Sequence, residues 1–273
     1  LGREQRLHHQ FPEVEFLDVD PDSTVEDTFV AARMMKNAGV AAIIVLGGDG
    51  THRAVVRECG SVPIAGLSTG TNNAFPEMRE PTITGMAVGL YATGRLSNEQ
   101  ALAPNKLLEI SINGGEHREI ALVDAVILTD RYIGARALWK TENLRALYVT
   151  FAEPEAIGMS AIAGLLHPIG RRDPGGLAVE LCEDPARRQL VLHAPIGPGM
   201  VRAVGIGRWQ TMAPGRSFPI DLDAGVVALD GEREMEFEAG DQVSITLRED
   251  AFRTVEVTRC MHIAARSGLF RRS

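Results

Sequence analysis

The sequence predicts an α/β domain followed by an all-β one: an N-terminal three-layer α/β domain over residues 1–103 and a mostly-β, sandwich-type domain over residues 104–258. Three observations predict this. Residues 40–46 form a short apolar run that feeds straight into a glycine-rich turn, GGDGT. Up to about residue 104, apolar runs alternate with helical patterns. Beyond it, short strand-like segments follow one another with hairpin residues between them.

In the first half, residues 25–37 read as a helix with Gly39 after it. Residues 40–46 are rich in β-branched side chains and do not alternate, which predicts a central parallel strand buried on both faces. Gly47, Gly48 and Gly50 then strip the turn of Cβ atoms, so that backbone amides can approach an anion and adopt positive φ. Thr51 is placed to cap a helix over 51–59, with Gly60 as its stop, and the helix N-terminus adds partial positive charge at the same spot. Asp49 is the odd residue there. A carboxylate where phosphates should bind repels them unless it holds Mg²⁺ or accepts a proton from an attacking hydroxyl. Residues 62–67 read as a second buried strand running into Ser68, Thr69, Gly70, Thr71, Asn72 and Asn73, another polar cradle in which the two amides suit phosphate or ribose. A helix over 82–93 ends at Gly94. The glycine spacing is neither the dinucleotide fingerprint nor a Walker loop. His52, beside the first turn, reads as a solvent-facing or packing residue outside the catalytic set.

In the second half, strands are expected over 106–113, 116–124, 145–152, 177–182, 189–194, 226–230, 242–247 and 253–258. Asn113-Gly114-Gly115 and Asp230-Gly231 suit hairpins, so the tripeptide Asp230-Gly231-Glu232 reads as structural. Asp124 interrupts an otherwise apolar strand and needs a partner or a ligand.

The turn GGDGT after an apolar strand resembles the signature of the NAD kinase and diacylglycerol kinase superfamily, and STGTNNAFP is similar to the wording of its acetoin catabolism protein X family. The resemblance implies an NAD kinase-like fold and ATP-dependent phosphoryl transfer, to the 2′-hydroxyl of the adenosine ribose of NAD. It implies ATP and Mg²⁺ as cofactors, with Asp49 as base or metal ligand. Gly47, Gly48, Gly50, Thr51, Ser68, Thr69, Gly70, Thr71, Asn72 and Asn73 would hold phosphate or ribose. Asp124 stands where the family has the acidic member of an Asn-Glu pair, with Val123 replacing the amide. Residues 156–168, AIGMSAIAGLLHP, are similar to the family's Thr-Gly-Ser-Thr-Ala-Tyr block at Gly158 and Ser160, whereas Ile157, Met159 and Ile162 replace hydroxyls or an aromatic. The family also implies a first strand upstream of Leu1, a return of residues 259–273 to the first domain, and a dimer or tetramer. Two alternatives stay open: an inactive nucleotide-binding accessory or sensor protein, and a lipid kinase, which Asp230-Gly231-Glu232 echoes.

Composition agrees with a small-molecule protein. The 273 residues are 45% apolar, enough for two domains with ample core. A net charge of −8 without any basic tract argues against a nucleic-acid surface. Cys59, Cys182 and Cys260 are isolated, which suits buried thiols in a reducing cytoplasm. No apolar run reaches the roughly 20 residues of a membrane helix, so a soluble protein without membrane partners is expected.

Overall fold

The computed structural model describes residues 13–70, 73–129 and 141–271. Helix α1 (Val25–Asn37) starts where Thr24 accepts the Glu26 amide at 3.3 Å. Glu26 and Asp27 in its first turn and Lys36 in its last complement the helix dipole. Strand β1 (Ile43–Gly47), α2 (Asp49–Cys59) and β2 (Ile64–Ser68) follow, with β1 and β2 parallel. Then come α3 (Pro81–Ala92), with proline in its first turn, and α4 (Asn98–Ala101).

The sheet begun by β1 and β2 is extended by β3 (Leu102–Ile112), β4 (His117–Ala121) and the late strand β13 (Val243–Val255), in the order β1-β2-β13-β3-β4, with β10 (Ser217–Pro219) also on β13. Ala32, Val55 and Val56 of α1 and α2 pack on Ile43, Val45 and Ile64 on one face. Ala87 and Val88 of α3, with Val257 and Cys260 of the C-terminal helix α6 (Val257–Arg266), pack on Ala65 and Val255 on the other. This is the expected three-layer arrangement.

A second, antiparallel sheet contains β5 (Asp124–Leu128), β6 (Leu144–Val149), β7 (Gly176–Leu181), β8 (Leu190–Gly197), β9 (Met200–Met212), β11 (Gly225–Leu229) and β12 (Glu232–Phe237), ordered β12-β11-β5-β6-β7-β9-β8. Its inner face meets β3 and β13 in a core of Leu108, Ile110, Ile245 and Leu247 against Ile127, Val227 and Phe237. Each such side chain contributes about 1.5–3 kcal/mol through burial. The outer face carries α5 (Ser160–Leu166), whose Ile162 and Ala163 pack on Leu147, Val149 and Leu177. The β11–β12 turn is Asp230-Gly231, with φ of 49° and 85°, the left-handed pair that a two-residue hairpin of this type requires.

Four expectations are corrected. Among the described residues strand β1 lies at the sheet edge and alternates, with Ile44 39% and Leu46 63% exposed, while the second helical layer packs on Ala65 of β2 and Val255 of β13. Residues 242–258 do not form two strands: β13 runs through with a register shift between Arg248 and Phe252, and Val257 already opens α6. The segment 116–124 is also not one strand. It leaves the first sheet at Ala121 and enters the second at Asp124, and the Asp230 carboxylate takes the amides of Leu122, Val123 and Asp124 at the crossing. Finally, Cys59 and Cys260 are buried, but Cys182 is only partly so.

Candidate functional site

Helix α2 starts two residues earlier than the capping chemistry of Thr51 predicts. Gly48 is its N-cap, Asp49 its first residue, and no side chain caps it, which leaves first-turn amides open to an anion. Thr51 instead folds over Gly47, where a Cβ would stand 2.6 Å from its hydroxyl oxygen. None of Gly47, Gly48 and Gly50 has a left-handed φ, contrary to expectation. Close approach is what requires glycine here. A Cβ on Gly48 would meet the Asn73 side-chain oxygen at 2.8 Å, and one on Gly50 would meet the Glu232 carboxylate at 2.9 Å.

The second predicted loop knits onto the first. The Ser68 hydroxyl donates to the Gly70 carbonyl and accepts from the Asn73 amide, both at 2.9 Å, while the Thr69 backbone amide donates to the Gly47 carbonyl at 3.4 Å. Thr71 and Asn72 lie outside the described residues. Asp49 reaches across: its carboxylate accepts the Ala74 amide at 2.9 Å and the Phe75 amide at 2.8 Å. Burial pushes Asp49 above its ordinary range, opposed by those two amides and by His52 and Arg171.

His52 is fully buried, its ring 5.8 Å from that of Phe75, and its Nδ1 lies 2.8 Å from the Gly48 carbonyl. Burial lowers its pKa, so the neutral tautomer donates from Nδ1 to Gly48 and leaves Nε2 unpartnered against Gly66. It packs beneath the turn, one of the two alternatives the sequence left.

A second group of acids stands beside the turn. Asp124 is 7% exposed, and its Oδ1 has no hydrogen-bond partner in the structure. Burial first, then the nearby Asp230 and Asp49 carboxylates, push its pKa well above the carboxylate range, against a backbone hydrogen bond from Ser160. Asp230 is pushed up to about 7 by burial, and the Leu122 and Val123 amides and Arg53 hold it down. Arg53, one turn along α2 from Asp49, lies 3.6 Å from Asp230 and 3.0 Å from Glu232. The hairpin that the sequence marked as structural is therefore latched to α2, directly over the glycine turn. Arg53 and Arg171 carry no motif that would single them out, whereas Glu232 closes the Asp230-Gly231-Glu232 tripeptide that the sequence read as a hairpin. Only the i, i+4 spacing of Asp49 and Arg53 on one helix face is visible in the sequence.

Gly158 has a φ of 99° and donates its amide to the Pro195 carbonyl at 3.0 Å. The Ser160 side chain is buried, and its backbone amide hydrogen-bonds the Asp124 carboxylate. Met159 and Ile162 belong to the apolar core under the second sheet. Among the described residues no three His, Cys, Asp or Glu side chains are grouped to hold a metal ion, and no helix is long and apolar enough to cross a membrane.

An uncapped helix behind a glycine turn, joined to a polar loop and overhung by a β sandwich, defines a two-part protein with an α/β N-terminal domain, and sequence comparison gives those parts their families. Residues 3–95 match the ATP-NAD kinase N-terminal domain, and residues 106–250 match the acetoin catabolism protein X C-terminal domain. Acetoin catabolism protein X of Cupriavidus necator is 58% identical over 274 residues, covering 99% of this chain and 76% of that protein. The chain belongs to the acetoin catabolism protein X family. Similar solved structures include yeast NADH kinase complexed with NADH and an NAD kinase from Archaeoglobus fulgidus in complex with ATP. Each is 12% identical with a TM-score of 0.44 over 85% of this chain, and the matches cover 68% and 84% of those chains respectively.

Proposed function

We propose that this protein transfers a phosphoryl group from ATP to a hydroxyl of a small nucleotide-like acceptor, with NAD as the first acceptor to test. The observation that carries this reading is the pairing of an uncapped α2 N-terminus with the unpartnered Asp124 oxygen, an anion site beside a buried group that wants a polar ligand. In this reading Gly48, Gly50, Ser68 and Asn73 cradle phosphates, and Asp49 accepts the proton of the attacking hydroxyl. Its oxygens each take one amide and keep a lone pair for that proton. Mg²⁺ would supply charge neutralisation on the ATP phosphates, and Asp49 in the first turn of α2 is the acid proposed to contact it, with the Glu232 carboxylate standing over Gly50 beside it. Oligomerisation stays part of the proposal.

A second reading, nucleotide binding without turnover, is favoured by the burial of Met159 and Ile162, which leaves the acceptor segment without the hydroxyls of the resembled block. Turnover of ATP with NAD as acceptor, compared between the wild type and Asp49→Asn, separates the two. A loss of about 10²-fold or more supports the base. Calorimetric binding of ATP with no turnover by the wild type supports the second reading.

A further inference from the structure

We propose that Arg171 is the positioning residue of the Asp49 carboxylate, acting through the backbone of Ala74 and Phe75 that lies between them. The guanidinium donates to the Phe75 carbonyl at 2.7 Å and to the Ala74 carbonyl, while Asp49 takes the amides of the same two residues. The peptide unit that joins Ala74 to Phe75 is thus held from both edges, its N–H by Asp49 and its C=O by Arg171, and the units on either side are each held from one. The guanidinium carbon also lies 4.4 Å from the Phe151 ring centroid and 5.5 Å from that of Phe75. A planar fork that stacks on rings and spans adjacent carbonyls is arginine chemistry, which a lysine reproduces only in part.

Arg171 is itself held. Its loop is staked by Lys106 of β3, whose buried ammonium donates to the carbonyls of Gly170 at 3.3 Å, Asp173 at 2.7 Å and Gly175 at 2.9 Å, using all three of its protons. The Asp173 carboxylate takes the Gly170 amide at 2.8 Å, and Glu249 of β13 takes the Gly175 amide at 2.6 Å. The chain of contacts therefore runs from the strands of the sandwich through Lys106, the loop and Arg171 to the Ala74 and Phe75 peptides, and ends on Asp49. Hydrogen bonds in series polarise one another, so the Ala74 carbonyl bound to the guanidinium makes the Phe75 amide of the same peptide unit a better donor to the carboxylate.

The kinetic side of this proposal rests on Asp49 being the reacting carboxylate, whereas the structural side does not. The full chain is prepared as wild type, Arg171→Met and Arg171→Lys, and amide hydrogen exchange is read residue by residue together with turnover of ATP and NAD. In Arg171→Met the Ala74 and Phe75 amides should exchange roughly tenfold faster or more while β5 and β6 keep their protection, and Arg171→Lys should restore part of it. Turnover should fall by about 10- to 100-fold with the KM for ATP within about twofold, because geometry rather than binding is lost. Unchanged protection at Ala74 and Phe75 overturns the proposal whatever the turnover, as does loosening spread evenly over the whole chain. A wild type without turnover contradicts the kinase reading alone, and the exchange result still decides the role of Arg171.

Discussion

Asp49 and Arg171, 122 positions apart in the sequence, grip opposite edges of the same peptide unit, Asp49 taking the Phe75 N–H and Arg171 the Ala74 C=O. Their contributions to stability should therefore be coupled. In a double-mutant cycle of Asp49→Asn and Arg171→Met, followed by denaturant unfolding, we expect an interaction energy of about 0.5–3 kcal/mol. Additivity within about 0.3 kcal/mol would mean that the shared peptide unit transmits nothing.

Asp124 should make stability fall as pH rises. Burial raises its folded pKa above the unfolded value, so the stabilising contribution is complete below the unfolded pKa of 3.8 and is lost on going up through the folded one. Asp124→Asn removes this loss. Its melting temperature should match the wild type near pH 4 and exceed it at pH 8, by about 2–4 °C for each kcal/mol recovered. A larger advantage at pH 4 than at pH 8 would reverse the sign and rule out a buried, protonated Asp124.

Alanine at Gly48 and at Gly50 should behave differently. The Gly48 Cβ would press on an Asn73 side chain already held by Ser68, so Gly48→Ala should weaken ATP binding by about tenfold or more. The Gly50 Cβ would meet the far end of the Glu232 side chain, which is 62% exposed and needs to shift only by a few tenths of an ångström. Gly50→Ala should leave stability within about 1 kcal/mol of the wild type, since alanine also suits a helix better than glycine. Calorimetry and thermal melting of the two variants check this, and stronger destabilisation by Gly50→Ala would contradict it.

Arg53 is the cation facing Asp230 in a buried site, its side chain 8% exposed. Arg53→Met should cost about 3 kcal/mol or more at pH 8, because it strips a buried carboxylate of its countercharge. Since Arg53 holds the Asp230 pKa down, its removal lets Asp230 take up a proton more readily, and the penalty should shrink below pH 7. A penalty that is flat with pH would show that Arg53 acts through packing alone.

Most of the α/β half was legible because local signals carry it. Glycine stops at Gly39, Gly60 and Gly94 bound three helices, and the apolar run before Gly47 marks β1. Hairpin chemistry at Asp230-Gly231 was legible for the same reason. The burial of β1 was misjudged because an apolar run does not reveal whether a neighbouring strand or helix covers its second face. Thr51 looked like a cap because nothing local announces that Asn73 and Glu232 crowd the turn and that the helix begins at Asp49. Arg171, Arg53 and Lys106 were invisible for a deeper reason: each acts on backbone or carboxylates more than 60 positions away, and only the pairing of β3 with β13 and the crossing at Asp124 bring them together.

The most direct measurement is the appearance of NADP in a coupled assay with purified protein, ATP, Mg²⁺ and NAD, run in parallel with Asp49→Asn. Phosphoryl transfer through Asp49 predicts NADP formation by the wild type and a loss of about 10²-fold or more in the variant. Equal turnover by the two proteins, or none by a wild type that binds both nucleotides, would contradict it.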